Sequence, residues 1–396
     1  MRIAWSHIEK LEVLIATGMP GAYKVFIFFL LQQVHGLALL GQIATWQSIA
    51  QIFGFFTAIG WCSLIMVRVA KQEIEPDKVA AFNNLFLMSM ATLAVVCALV
   101  MLTGISLSKI LDAWQITLWI CAWTFYQLPR HYLIALKRYR QALVMDSAII
   151  ASSTGFLFLT TEPNVSAMLV ASMLICGCIT ILHIQKNNTD YNPSTSYDIK
   201  GLEYGLANLL TGGISLSIVP FAAHFEGKEL AGAISLFMSI SGVALLLPRA
   251  LSLRQLPEIS KKINNQNDTY KFFIKNKRQI TICNTATTAL SLITAAVTTY
   301  QFSDEINKST ILPILFLLTL QSTAGTQTLP YANILMAQER SKPALIINSQ
   351  SFLLYLAACS LLLTIQTTSP TFYLCSIILV LSALRLFQIR SKISFR

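Results

Sequence analysis

Ala80-Ala-Phe-Asn-Asn-Leu-Phe-Leu-Met-Ser-Met-Ala-Thr-Leu-Ala-Val-Val-Cys-Ala-Leu-Val-Met-Leu102 is a stretch with no charged residue. A membrane-crossing helix needs about 20 mostly apolar residues, because each backbone N–H and C=O must be satisfied inside the segment when water is absent. This stretch meets that requirement, and it has eleven counterparts. The twelve expected spans are about 13–33, 43–65, 80–102, 113–134, 143–161, 165–184, 202–223, 231–252, 279–300, 310–336, 344–365 and 371–389. The least regular lie near Gly205 and Pro313, and Pro20, Gly21 and Pro330 are candidate helix breakers. The whole chain of 396 residues agrees with a membrane solvent: 55% are hydrophobic, 12% are charged and the mean hydropathy is +0.61. A soluble domain would be roughly a quarter charged. The first span lacks a short apolar core followed by a small-residue cleavage site and holds Lys24, so it reads as a retained helix.

The net charge of +11 raises the question of nucleic acid, and the position of the bases answers it. With the N-terminus placed in the cytoplasm, twenty-three of the 29 Lys and Arg fall at that side, seven of them between Arg254 and Arg278 and four from Arg385 to Arg396. Only Lys109, Lys228 and Lys308 fall at the other side, and Lys24, Arg130 and Arg249 lie within spans. This asymmetry is the positive-inside pattern of an even number of helices with both termini cytoplasmic. The basicity is topological and gives no reason to expect a nucleic-acid partner. All eight cysteines fall within spans and none forms a C-x-x-C pair, so they read as small core residues, with no metal or cofactor site expected.

Two short self-similarities organise the chain. Gly41-Gln-Ile-Ala-Thr-Trp-Gln-Ser-Ile49 matches Gly232-Ala-Ile-Ser-Leu-Phe-Met-Ser-Ile240 at an offset of 191, and Ala135-Leu-Lys-Arg-Tyr-Arg-Gln-Ala-Leu143 matches Ala337-Gln-Glu-Arg-Ser-Lys-Pro-Ala-Leu345 at 202. One insertion in the basic segment 254–278 accounts for the difference. Each pair keeps its side of the membrane, so the expected fold is all-α, about twelve transmembrane helices in two parallel six-helix repeats. The expected lobes are 1–184 and 202–396, joined by a cytoplasmic linker at 185–201.

At these residues the chain resembles a known family. Leu40-Gly-Gln-Ile-Ala-Thr-Trp-Gln-Ser-Ile49, followed by Gly60 and Arg68, resembles the second helix of bacterial lipid-linked oligosaccharide (O-antigen) flippases of the polysaccharide exporter superfamily. Leu256-Pro-Glu-Ile-Ser-Lys-Lys262, after Leu247-Pro-Arg249, is similar to the family's eighth helix and the loop that follows, and Ala337 to Asn348 to its tenth-to-eleventh turn. The resemblance implies a flippase carrying a polyprenyl-diphosphate-linked oligosaccharide across the bacterial inner membrane for surface polysaccharide assembly. A polysaccharide polymerase and chain-length proteins are its implied partners. The multidrug and toxin extrusion transporters share the same two-lobed fold.

Charged groups in hydrocarbon cost about 2.5–3.5 kcal/mol at a helix centre, which makes them the first candidates for function. Lys24 stands far from both ends of its span, with Thr17 and His35 within about 20° of it on the helix, so one stripe of that helix is polar and suited to a hydrated cavity. The alternative is a snorkelling lysine. Arg249 and Arg130 lie nearer the inner face, where a guanidinium fork could grip a diphosphate or simply meet lipid headgroups. Trp119, Trp123 and Tyr126 could stack on sugar rings, though helix packing is the commoner use of such residues. Gln47 and Gln51, with Thr45 and Ser48, and Gln327 among the polar residues 321–328 complete the candidate binding set of Lys24, Arg249, Arg130, His35, Gln47, Gln51 and Gln327.

The sequence holds no G-x-x-x-x-G-K-[ST] phosphate loop and no H-E-x-x-H pair. Its outward loops are short, against a membrane enzyme of glycan assembly, so a transporter is expected in place of an enzyme. Deep acids are scarce, with Asp146 and Glu203 placed at inner helix ends, and this favours an anionic cargo over the cations of a drug antiporter.

Overall fold

A computed structural model describes residues 2–161, 164–186, 199–245, 247–248, 251–252, 266–302, 306–337, 341–365, 367 and 369–392. Arg249, most of the 185–201 linker and the segment 253–265 lie outside the described residues. Every described element is helical. Among the described residues, nine runs are long and apolar enough to cross a membrane. One of them, Ile15–Lys71, is 57 residues long and holds two spans, and Ile110–Ala135 and Lys228–Ala244 complete twelve. This is a multi-pass membrane protein, and its lipid-facing surface shows it: Val95, Leu99 and Leu102 on one helix are each more than half exposed.

The chain divides into two compact units, Met1–Pro220 and Phe221–Arg396. The first contains α1 (Arg2–Gly54), a π-turn at Phe55–Ile59, α2 (Gly60–Lys71), α3 (Glu75–Ser106), α4 (Ile110–Ala135), α5 (Tyr139–Leu159), α6 (Val165–Gln185) and α7 (Lys200–Asn208). After α7 come a second π-turn at Leu209–Gly213 and the single turn α8 (Ile214–Leu216).

The boundary expected between the first two spans differs from that observed. The helix does not stop between the first two spans: α1 is helical on both sides of one residue, Gly36, whose φ of 85° and ψ of 172° break it. Glycine takes that backbone without a Cβ penalty. Pro20 and Gly21, in contrast, remain within α1 without a break. The irregularity near Gly205 is real and takes the form of the π-turn at Leu209–Gly213.

Adjacent helices are folded back by matching tight turns. Ser108 (φ 55°) and Lys137 (φ 57°) adopt the left-handed conformation, and the amides of Lys109 and Arg138 each donate to a carbonyl five residues earlier, Gly104 and Leu133, at 2.8 Å. This is the helix-ending bond that satisfies an orphan carbonyl. It makes α3, α4 and α5 consecutive antiparallel neighbours.

The core of the first unit gathers Trp61, Ile65, Val69, Phe82, Leu128, Tyr132 and Ile184, with the Phe82 and Tyr132 rings 4.9 Å apart. Helix α7 joins this unit through glycine. A Cβ on Gly60 would strike the carbonyl of Gly201, and one on Gly201 would lie 2.5 Å from the Trp61 ring. Small residues let membrane helices approach backbone to backbone where no hydrophobic effect drives them together.

The second unit contains α10 (Lys228–Ala244), α11 (Gln266–Gln301), α12 (Lys308–Gln327), α13 (Leu329–Ala337), α14 (Ser341–Thr364) and α15 (Pro370–Ser391), after α9 (Ile218–Phe225) that leads into it. Thirteen residues of the expected basic loop 254–278, from Gln266 on, are the first turns of α11. The tenth expected span is divided at Thr328, just before Pro330, which sits in the first turn of α13, where its missing N–H costs no helical bond. The carboxylate of Glu226 accepts a 2.7 Å bond from the Thr371 amide and caps α15.

Candidate functional site

The first unit carries a polar seam between α1, α4 and α5. Along α5, Asp146, Ile149, Ser153 and Leu157 recur at helical spacing, and all four are buried. Tyr23 lies 3.3 Å from Ser153 through their hydroxyls, and His35 Nε2 is 3.1 Å from the Leu157 carbonyl. The seam therefore runs beside the stripe of α1 that bears Lys24.

Arg130 closes one end of it. Its Nε donates to both Asp146 oxygens, at 3.1 and 3.3 Å, and one terminal nitrogen donates to the Ala16 carbonyl of α1. Tyr126 donates to the same Asp146 carboxylate at 2.9 Å. Arg130 and Asp146 are both buried. The structure thus places Arg130 as the partner of an acid and as a clamp on three helices, so its charge is compensated inside the protein. Asp146 is correspondingly not an end-of-helix acid open to a cation.

Lys24 has a different setting. Its ammonium lies 5.2 Å from the centroid of the Phe28 ring, and no described carboxylate pairs with it. A cation over a ring face is attracted by about 0.5–2 kcal/mol, less than its cost in hydrocarbon, so the contact orients the charge without neutralising it. Lys24 is the uncompensated cation of the described candidates.

The other expected residues separate. Gln47 is buried with its carbonyl oxygen unpartnered, and Gln51 is half-buried one turn on. Gln327 belongs to the second unit, where it accepts a 3.3 Å bond from Thr281 in a polar junction of α11 with α12 that includes Asn284, Thr288, Thr323 and Thr326. The aromatics before Arg130 hold the unit together: Trp119 donates to Ser166 at 3.1 Å, Ser166 to Gln115 at 2.9 Å, and Tyr126 is engaged as described. Arg249 lies outside the described residues.

Sequence reasoning missed the Arg130–Asp146 pair, although a signal was present. The two residues stand eight before and eight after Arg138, and in an antiparallel hairpin residues equidistant from the turn face each other. Tyr23 and Tyr126 carried no comparable mark, because a tyrosine at membrane depth is as often packing as a polar link.

No family model and no curated protein matches this sequence. Solved structures do match its fold over nearly its whole length. An inward-facing multidrug resistance MATE family transporter of the MOP superfamily superposes with a TM-score of 0.64 at 12% identity, over 97% of this chain and 94% of that one. The lipid II flippase MurJ in an inward closed conformation gives 0.67 at 12%, over 95% and 86%. The MATE multidrug transporter DinF-BH gives 0.59 at 14%, over 96% and 94%. At these identities the shared property is the fold alone.

Proposed function

We propose that the chain is a flippase for a polyprenyl-diphosphate-linked oligosaccharide, moving it from the inner to the outer leaflet of the bacterial inner membrane, with both termini cytoplasmic. The observation that supports this most is the pairing of charges in the first unit. Its buried acid, Asp146, is held by Arg130, and Lys24, a half-buried cation, pairs with no carboxylate among the described residues. A transporter whose buried acid is already compensated and whose deep lysine is not suits an anionic headgroup better than a cationic drug. The likeness of fold to a lipid II flippase supports the same reading.

In this scheme the diphosphate is drawn to Lys24, with Arg249 as a second, bidentate contact, while Gln47, Gln51 and His35 meet the sugar or bridging water. The lipid tail stays in the bilayer, and rocking of the two repeats exposes the headgroup to the other side. The second reading, a small-molecule or drug antiporter, is supported by the equal likeness to multidrug MATE transporters. A membrane enzyme of glycan assembly has no such support.

Reconstitution separates the two. Purified protein in vesicles containing a labelled lipid-diphosphate sugar should flip it, and Arg249→Lys should lower the rate about ten-fold, since loss of one charge-assisted bond is worth about 1.5–3 kcal/mol. Absence of flipping together with uptake of a cationic drug in the same vesicles would replace the flippase reading with the antiporter.

A further inference from the structure

A groove of about 460 Å³ runs between α5 and α6 on the lipid-facing side of the first unit, and the transport reading does not use it. Its residues on α5, centred on Val144 and Ala148, stand opposite the Asp146–Ser153 seam around that helix. The floor is Leu133 of α4 and Met145 of α5, both buried, and the walls are Val144 and Ile179, 70% and 60% exposed. Small residues keep the groove open. Ala148 on α5 faces Cys176 and Thr180 on α6, and the Thr180 hydroxyl is spent on the Cys176 carbonyl at 2.8 Å. Gly177 draws α6 toward α4 instead, since a Cβ there would strike the Phe125 carbonyl.

The groove is graded in polarity along its length. Arg140 and Gln141 in the first turn of α5 and His183 in the last turn of α6 form one end. Arg140 Nε donates to Glu12 at 2.8 Å, which uses one of its five donors, and the side chain remains 73% exposed. Arg138 is paired with Glu75, while Lys137 and Lys186 stand exposed at the same end, so cations outnumber acids there. From Arg140 to Ala148 the groove covers about 12 Å of helix, most of one leaflet of a 30 Å hydrocarbon core. The second unit offers a comparison. At the 202-residue offset of the sequence repeat, Gln141, Val144, Met145 and Ala148 correspond to Pro343, Ile346, Ile347 and Gln350, and these four line a groove of about 410 Å³ between α14 and α15. Its other lining residues are Gln388, Ser391 and Lys392. The register recurs but the apolar depth does not, so that depth belongs to the first groove's own residues.

Cations at the end of a span, followed by an uncharged apolar channel, complement an anionic amphiphile. We propose that the α5–α6 groove binds one anionic glycerophospholipid of the surrounding membrane, its phosphate at Arg140 and His183 and one acyl chain along Val144, Ala148, Cys176 and Ile179. The terminal nitrogens of Arg140 take the phosphate in charge-assisted bonds while Nε stays on Glu12. The second chain remains among the bilayer lipids, because the exposed walls at Val144 and Ile179 leave the groove open to them. A bilayer lipid already bathes those walls, which favours it as the occupant. The bound lipid would brace α5 against α6 from the lipid side, as the Arg130–Asp146 pair braces α5 against α4 from within. This inference does not rest on the flippase reading, and its assay measures binding without transport.

The test is native mass spectrometry of the purified full-length protein, delipidated in detergent and titrated with phosphatidylglycerol or phosphatidylethanolamine. The wild type should take up one phosphatidylglycerol at a concentration about five-fold or more below that needed for phosphatidylethanolamine. Arg140→Gln combined with His183→Gln should remove this preference. Ala148→Gln combined with Ile179→Gln, which gives the groove the glutamine character of the one in the second unit, should weaken binding of both lipids about five-fold or more. Val95→Gln combined with Leu99→Gln, on the lipid-facing side of α3, should bind as the wild type does. If the Ala148, Ile179 variant does not fold, the Arg140, His183 variant decides, since both of its positions are exposed helix ends. Equal affinity of the wild type for the two lipids would overturn the proposal. So would undiminished binding in the groove variants, an equal loss in the α3 variant, or displacement of phosphatidylglycerol by a lipid-diphosphate sugar, which would give the groove to the transported lipid.

Discussion

Arg130 and Asp146 form a buried ion pair across the α4–α5 turn, at 3.1 Å, and the same guanidinium reaches the Ala16 carbonyl of α1. One side chain therefore fixes the packing of three helices. It can do so because the tight turn at Lys137 brings α5 back along α4 in a register that sets residues equidistant from Arg138 opposite each other.

Removing one member of this pair leaves a charge without an answer in a medium that solvates it poorly. Asp146→Asn should lower stability by about 3 kcal/mol. The double variant Arg130→Leu, Asp146→Leu should recover most of that loss, since two apolar residues leave no buried charge. Unfolding temperatures of the wild type, each single variant and the double variant in one detergent form the cycle. A double variant as unstable as Asp146→Asn would show that the pair acts through something other than mutual compensation.

Lys24 predicts the opposite pattern. Because no acid depends on it, Lys24→Ala should leave membrane abundance near that of the wild type, and insertion of α1 should become easier by about 2.5–3.5 kcal/mol. Flipping of the lipid-diphosphate sugar should be lost. Immunoblotting beside the vesicle assay measures both, and loss of the protein itself would make Lys24 a structural residue.

Glycine packing of α7 gives a third expectation. Gly201→Val forces a side chain against the fully buried Trp61 ring, and overpacking of this kind costs about 1–3 kcal/mol. Gly155→Ala on α5 meets nothing within 4 Å and should be neutral or stabilising by up to about 1 kcal/mol, as alanine is the better helix former. The unfolding temperature of Gly201→Val should fall, and that of Gly155→Ala should hold or rise.

Topology is tested by labelling. In a protein freed of its eight native cysteines, Glu229→Cys, exposed at the start of α10, should react with an impermeant maleimide in intact cells. Gln72→Cys, exposed after α2, should react only after the membrane is opened. Reversal of the two results would invert the orientation expected from the basic residues.

The number of spans and their helical state were legible in the amino-acid sequence, because a bilayer admits few solutions: a long uncharged run must form a helix to satisfy its own backbone. The break at Gly36 was not legible, since glycine within an apolar run is compatible with both a straight and a broken helix. Lys24 could be singled out from its depth alone, for charge in hydrocarbon is costly whatever its neighbours. The role of Arg130 could not, for a reason of tertiary structure. It faces Asp146 across a hairpin and is compensated, which distance along the span does not reveal. Sequence measures how far a charge lies from the end of a span, and only the packing of helices decides which group, if any, stands opposite it.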